Sequence, residues 1–478
     1  MRNALVFALL GLMGGTGCGD SISPAMPDAP APPMPDAPEA PLGDILDELR
    51  AIPGMTDVTE QTSMVDGYRF FVMEYDQPVD HDNPSGPHFG QRMTLLHRDY
   101  SAPTVVYNSG YFVSTRGFRG QVASIVDGNQ LSMEYRYFEP SRPAPADWTR
   151  LDIKQAATDQ HRITQALKAR IYKGGKFLTT GASKGGMTSL FHRRFFPDDV
   201  DGTVAFVAPF DYPDDAVQSP TNRYIEFLEN VGTDATCRQK LKDFQNTVIA
   251  RRAAMKTKME ALASFTSPLD EDHALEFAVE ELPFIFWQYG SQANCSKIPA
   301  ANATDDAVFK FLDDTIDMTS YGDEQLAAYL PYYHQSATQL GYPIDDESYL
   351  VGLMYPGEDT AQAYIPAGVT TPAYDGGAAM RDVQDWIASS GAQIMLIYGQ
   401  NDPWSAGAVD LGNATDSVKY ISPNGNHGSS IATLPSTQQD EAVAIVMRWA
   451  GIAAHGHLTA KVDARTAEQE DLARRPRL

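Results

Sequence analysis

The stretch FLTTGASKGGMTSLFHRRFF, Phe177 to Phe196, constrains the fold more than any other part of the sequence. Its first residues are apolar and β-branched and read as a buried strand, and MTSLFHRRFF reads as a helix. Only Gly181-Ala182-Ser183-Lys184-Gly185 separates the two. A strand that passes straight into a helix through so short a turn places the central serine above the edge of a sheet. Gly181 and Gly185 remove side chains where strand and helix nearly collide, and Gly186 eases the start of the helix. Ser183 is therefore a candidate nucleophile. The other reading is a small residue in a packing turn.

The flanking sequence repeats the alternation. YRFFVMEY (Tyr68 to Tyr75) and QRMTLLHR (Gln91 to Arg98) read as strands around a long polar turn. PTVVYNSGYF adds a short strand that ends in a glycine-containing loop, and QLSMEY (Gln130 to Tyr135) adds another. In LDIKQAATDQHRITQALKARIYKG, the residues Ala156, Ile163, Leu167 and Ile171 fall close to one helical face. GTVAFVAPF is a further strand. Strands alternating with helices predict an α/β fold with a mostly parallel sheet covered on both faces. The alternation stops near Asp211, gives way to a mainly helical block, and resumes with MRDVQDWIASSG, AQIMLIYGQNDPW and VKYISPNGNHG. The block reads as a cap over the ligand-binding edge of the sheet; an independent second domain is the alternative.

The chain's ends suggest export. MRNALVFALLGLMGGTGC has Arg2, an apolar run from Ala4 to Met13 and then small residues, the pattern of a signal peptide over residues 1–17. Cys18 stands where a bacterial lipoprotein signal puts its lipidated residue, although Gly15 replaces the usual leucine. Ordinary secretion and a chance hydrophobic start are the other readings. Residues 18–41 contain the near-copies AMPDAP and PMPDAP and read as an extended proline-rich tether. The body is then expected over 42–211 and 376–454, the cap over 212–375, and a charged tail over 455–478. In an exported chain the remaining cysteines, Cys237 and Cys295, suggest a disulfide, with two buried thiols as the alternative. A formal net charge of -25 argues against a nucleic-acid partner. No cysteine or histidine spacing suits a metal, and no cofactor is expected.

A serine hydroxyl needs a base, and the base needs an acid to orient it. His427 in SPNGNHGSS and Asp402 in YGQNDPWS both follow apolar strands and supply them in the chain order Ser, Asp, His. Asp410 and Asp416 are spare acids, farther from a strand. Oxyanion donors are expected from the N–H of Lys184 and from the NSGYF loop, with Tyr111 first and Gly110 next. The Lys184 side chain is expected to face solvent or to be paired, with no part in the chemistry.

GASKGG, MEYRYF, FIFWQYG, NDPW and GNHG together resemble the secreted bacterial prolyl tri- and tetrapeptidyl aminopeptidases. More distantly they resemble the lysosomal prolyl carboxypeptidase and dipeptidyl peptidase group, with segments close to EHRYY and GGSYGG. The resemblance spans residues 42–451. It implies an α/β-hydrolase fold with an inserted helical cap, a Ser183, Asp402, His427 triad, and cleavage after proline near the free N-terminus of short peptides. Lys184 and the Tyr135-Arg136 pair depart from the lysosomal pattern and agree with the bacterial one.

A free terminal amine calls for a carboxylate, and Glu134, Glu280 and Glu281 are candidates; ordinary structural pairing is their other reading. Phe284, Phe286, Trp287 and Tyr289 are candidates for a proline pocket. An esterase or lipase would use the same triad, but the many acids of the cap favour a polar, peptide-like substrate. An inactive anchored binding protein is the remaining alternative.

Overall fold

The computed structural model describes residues 43–212 and 223–453. The expected export signal, Cys18, the expected tether and the charged tail lie outside them. Among the described residues the strands are β1 (Met55–Gln61), β2 (Arg69–Pro78), β3 (His88–His97), β4 (Thr104–Asn108), β5 (Asn129–Met133), β6 (Phe177–Ala182), β7 (Gly202–Phe206), β8 (Ile394–Gly399) and β9 (Val418–Ser422). They form one sheet in the order β1-β2-β3-β5-β4-β6-β7-β8-β9. From β5 to β9 every pairing is parallel, and β1, β2 and β3 add an antiparallel flank. The two expected N-terminal strands are a hairpin paired from Arg69↔His97 to Pro78↔His88.

The period of two along the central strands divides the core. Val204, Phe206, Met395 and Ile397 face α2 (Gln121–Val126) and α13 (Ser436–Trp449). Ala205, Ile394 and Leu396 face the other way, toward α3 (Ile153–Arg170), α4 (Lys184–Phe195) and α12 (Ala378–Ser390). Helix α1 (Ile45–Arg50) closes a third cluster with Met93, Leu95 and Leu131 over the antiparallel flank. Covering both faces requires continuous apolar strands, which is what β4, β6, β7 and β8 are. The architecture is an α/β-hydrolase fold.

The insertion after β7 contains α5 (Arg223–Asn230), α6 (Ala235–Ala250), α7 (Arg252–Met259), α8 (Glu271–Glu280), α9 (Leu282–Tyr289), α10 (Asp305–Ile316) and α11 (Asp323–Gln335). These helices bury an apolar core of their own, including Phe244, Phe277, Trp287 and Leu312. That core also takes in Tyr135 and Phe138 of the sheet-edge loops, so the cap rests on the body rather than standing apart. Irregular chain from 341 to 377 returns to α12.

Cys237 on α6 is bonded to Cys295, with a sequence separation of 58. Closing a loop of that length removes unfolded-state freedom worth about 4 kcal/mol. Reduction is expected to lower the urea midpoint without dispersing the sheet. Equal midpoints for reduced and oxidised protein would show that the bridge contributes no stability.

Candidate active site

Three loops at the carboxyl ends of parallel strands carry Ser183, Asp402 and His427. Ser183 occupies the turn from β6 to α4 with φ 56° and ψ -127°, a conformation that costs a non-glycine residue energy and persists only when its surroundings enforce it. The enforcement is visible. The Ser183 N–H donates to the Phe206 carbonyl at 2.9 Å, and the Ser183 carbonyl accepts from Met187 at 3.0 Å. A Cβ at Gly181 would overlap the Gly185 and Asn108 carbonyl oxygens, and one at Gly185 would overlap Asn108 again. The two glycines let three backbone segments meet around a half-buried serine.

Asp402 follows β8 and caps a 3-10 turn, Pro403–Gly407. Its Oδ1 accepts from the Trp404 N–H at 3.2 Å, leaving Oδ2 for His427 Nδ1 at 2.8 Å. Asp402 is 0% and His427 1% exposed, so the pair is dry. His427 Nε2 is buried and has no hydrogen-bond partner. The imidazole is thus held through Nδ1 and leaves Nε2 uncommitted. The cap holds the same loop: the His427 N–H donates to the Gln288 carbonyl at 2.9 Å, and Asn426 Nδ2 donates to the Gly290 carbonyl at 3.1 Å. Asp410 and Asp416 serve elsewhere. Asp410 accepts from the Gly412 N–H, and Asp416 pairs with Arg448 and Trp449 Nε1.

Some expected roles change. The Tyr111 N–H is turned back onto Ser109 Oγ at 3.0 Å, which removes it as the first choice of oxyanion donor. Gly110, at φ 77°, presses against the Lys184–Gly185 backbone so closely that a Cβ would overlap Gly185 N. Gly110, the second residue expected to donate from this loop, thus lies against the backbone that follows Ser183. The Lys184 side chain is paired but does not face solvent; it is 1% exposed.

Glu134 is set aside as an amine candidate because its carboxylate already has a cationic partner in Arg92. It pairs with Arg92 and accepts from Ser141 Oγ at 2.6 Å and from the Val113 N–H at 3.1 Å. Glu281 accepts from the hydroxyls of Tyr321, Tyr342 and Tyr364. Burial raises its carboxyl above the ordinary range while those hydroxyls oppose the shift. It lines a cavity with Phe284, Tyr332, Tyr342, Asp345 and Trp404. The half-buried Asp345 carried no motif and was not singled out from the sequence; it lies in an irregular segment that only the fold brings here.

Glu280 points away, into a second cavity with Trp287, Asp345 and Asp346. Both of its oxygens lack hydrogen-bond partners. Its carboxyl is pushed up to about 9, first by burial and then by Glu347, Asp345, Glu276 and Glu281. A raised folded-state value means that the folded protein keeps a proton the unfolded chain has lost. The corresponding stability is complete below the ordinary glutamate range and is lost as pH rises toward about 9. Glu280→Gln, neutral at every pH, is expected to flatten that decline in urea midpoints. A wild-type decline in the variant would assign the titration to another group.

The four aromatic candidates do not share a pocket. Phe284 packs on Trp404 with ring centroids 4.8 Å apart, and Tyr289 stands edge-on to His427 at 6.0 Å. Phe286 and Trp287 are about 200° and 300° farther round α9 from Phe284 and turn into the cap core.

The sequence matches the family model described as PS-10 peptidase S37 over residues 38–476. It is 44% identical over 419 residues to the prolyl tri/tetrapeptidyl aminopeptidase of Streptomyces mobaraensis, covering 86% of each chain. Among solved structures, a peroxisomal alpha-beta-hydrolase of Saccharomyces cerevisiae matches at 10% identity and a TM-score of 0.36, covering 86% of this chain and 97% of that one. A proline iminopeptidase of Mycobacterium smegmatis matches at 12% identity and a TM-score of 0.33, covering 82% and 99% respectively.

Proposed function

The chain belongs to the PS-10 peptidase S37 family, and from that premise we propose that it is a serine exopeptidase releasing tri- or tetrapeptides that end in proline. The observation that carries the mechanism is the buried Asp402–His427 pair with Nε2 unused. His427 Nε2 takes the Ser183 proton as Oγ attacks the proline carbonyl carbon. The resulting oxyanion is held by the N–H groups of Lys184 and Gly110. The tetrahedral intermediate collapses to a Ser183 ester as His427 hands its proton to the departing amine. Water, activated by the same imidazole, then cleaves the ester and restores the serine.

Glu281 and Asp345 are proposed to receive the substrate's terminal ammonium, since they line the cavity that also contains Phe284 and Trp404 and an arriving cation offsets the burial that raises both carboxyls. Three extended residues span roughly 10 Å, which sets the distance between amine site and scissile bond. Phe284 and Trp404 supply flat apolar surface for a proline ring. The apolar start, Cys18 and the tether support a proposal of export, with a lipid anchor as the specific form.

The test compares Ala-Ala-Pro-anilide with its N-acetylated form, its leucine counterpart and a medium-chain ester. Only the first is expected to turn over efficiently. Equal cleavage of the acetylated peptide would reject the exopeptidase reading, and faster ester cleavage would favour an esterase.

A further inference from the structure

A lysine directly after a nucleophile, almost wholly buried, needs a reason, because an ammonium in a dry site is costly unless it is compensated. Lys184 Nζ donates to the Gly110 carbonyl at 2.9 Å. It also lies 3.1 Å from the centroid of the Tyr135 ring, with Tyr111 and Phe138 at 5.6 and 5.7 Å. Aromatic faces compensate a desolvated cation, so the charge is accommodated where it stands.

The Gly110 carbonyl and the Tyr111 N–H belong to one peptide plane. Lys184 grips its oxygen, and Ser109 Oγ accepts from its N–H at 3.0 Å. The Tyr111 carbonyl in turn accepts from the Tyr135 N–H at 2.8 Å. Tyr135 is fixed from the cap, because its hydroxyl accepts from Gln335 Nε2 at 2.8 Å on α11. Glycine at position 110 turns freely about its own bonds, and a loop around it would hold no donor in place unaided. The Ser109 Oγ bond to the Tyr111 N–H spans Gly110 and closes a ring across its two rotatable bonds, so the peptide plane that carries the Gly110 N–H is tied to the clamped one.

We propose that Lys184 is a positioning residue that sets the oxyanion site through the Gly110 carbonyl, while its backbone N–H supplies one donor of that site. This rests on the acyl-transfer reading above. The role is specific to the transition state: the clamp orients donors toward an oxygen that becomes charged only after attack.

Lys184→Met keeps the length and apolar stem of the side chain and removes the ammonium. In the full chain it is expected to lower kcat about 100-fold with KM for Ala-Ala-Pro-anilide little changed, the pattern of a lost transition-state interaction. The tripeptide aldehyde Ala-Ala-prolinal, whose adduct with Ser183 places an oxyanion in the site, should lose affinity by a similar factor, whereas the product Ala-Ala-Pro should bind as before. A purely structural lysine would instead weaken both ligands together or lower the urea midpoint with kcat per folded site unchanged. Fluorophosphonate labelling of the wild type separates the levels. No label on Ser183 overturns the acyl-transfer reading and this role with it. A labelled wild type alongside a Lys184→Met variant with kcat within about threefold, or parallel loss of aldehyde and product binding, overturns the role of Lys184 alone. If that variant does not fold, Ser109→Ala frees the other end of the same plane and should lower kcat about 10-fold at unchanged KM; an unaltered kcat overturns the clamp.

Discussion

Replacing Ser183 with alanine is expected to reduce turnover of Ala-Ala-Pro-anilide by a factor of about 10⁴ or more while the protein stays folded. The proposed reaction has no other nucleophile to form the ester. The hydroxyl also contributes little to the fold: the hydrogen bonds that hold residue 183 are made by its backbone to Phe206 and Met187. Alanine retains both. Its cost is confined to holding a Cβ residue at φ 56°, which serine already bears. Steady-state kinetics with a urea midpoint on the same preparation is the check. A folded variant keeping more than about a tenth of wild-type kcat would remove Ser183 from the nucleophile's role.

Asp402→Asn is expected to cost about as much, near 10⁴-fold in kcat, for a different reason. Asp402 Oδ1 caps the turn at Trp404 and Oδ2 faces His427 Nδ1. An asparagine can keep its oxygen on the Trp404 N–H, so the 3-10 turn survives. Its amide then presents N–H groups to Nδ1 and forces that nitrogen to accept. The proton moves to Nε2, where the mechanism needs a lone pair. KM should change little because neither group contacts the proposed amine site. A variant within tenfold of wild-type kcat would mean that another group orients the imidazole.

What could be read from the sequence was local. Gly181 to Gly185 between an apolar strand and a helix marked the turn, although Asn108 and Phe206, which help to enforce it, lie far along the chain. The pairing of Asp402 with His427 was legible because each stands in a polar loop just after a short strand. Strand β1 was not, since MTDVTEQ is largely polar and its pairing shifts register between Thr56 and Thr59. The amine candidates depended on partners far along the chain. Glu134 is consumed by Arg92, which lies 42 positions earlier, and Glu281 acquires its tyrosines from 40 to 83 positions later. The proposed oxyanion loop turned on one hydroxyl: Ser109 Oγ captures the Tyr111 N–H, a choice that the string NSGYF does not reveal.

The hydrogen bonds from the His427 loop to the Gln288 and Gly290 carbonyls make the cap part of the catalytic frame as well as a cover. A cover that swung fully away would release the imidazole's own backbone anchor. Any opening of the cap that keeps this anchor must leave the segment around Gln288 and Gly290 in place. The same bonds set a rule for engineering. Grafting a relative's cap onto this body would exchange the substrate filter and the histidine's support in a single step. A chimera must therefore match backbone carbonyls at positions 288 and 290 before any new pocket can show its preference.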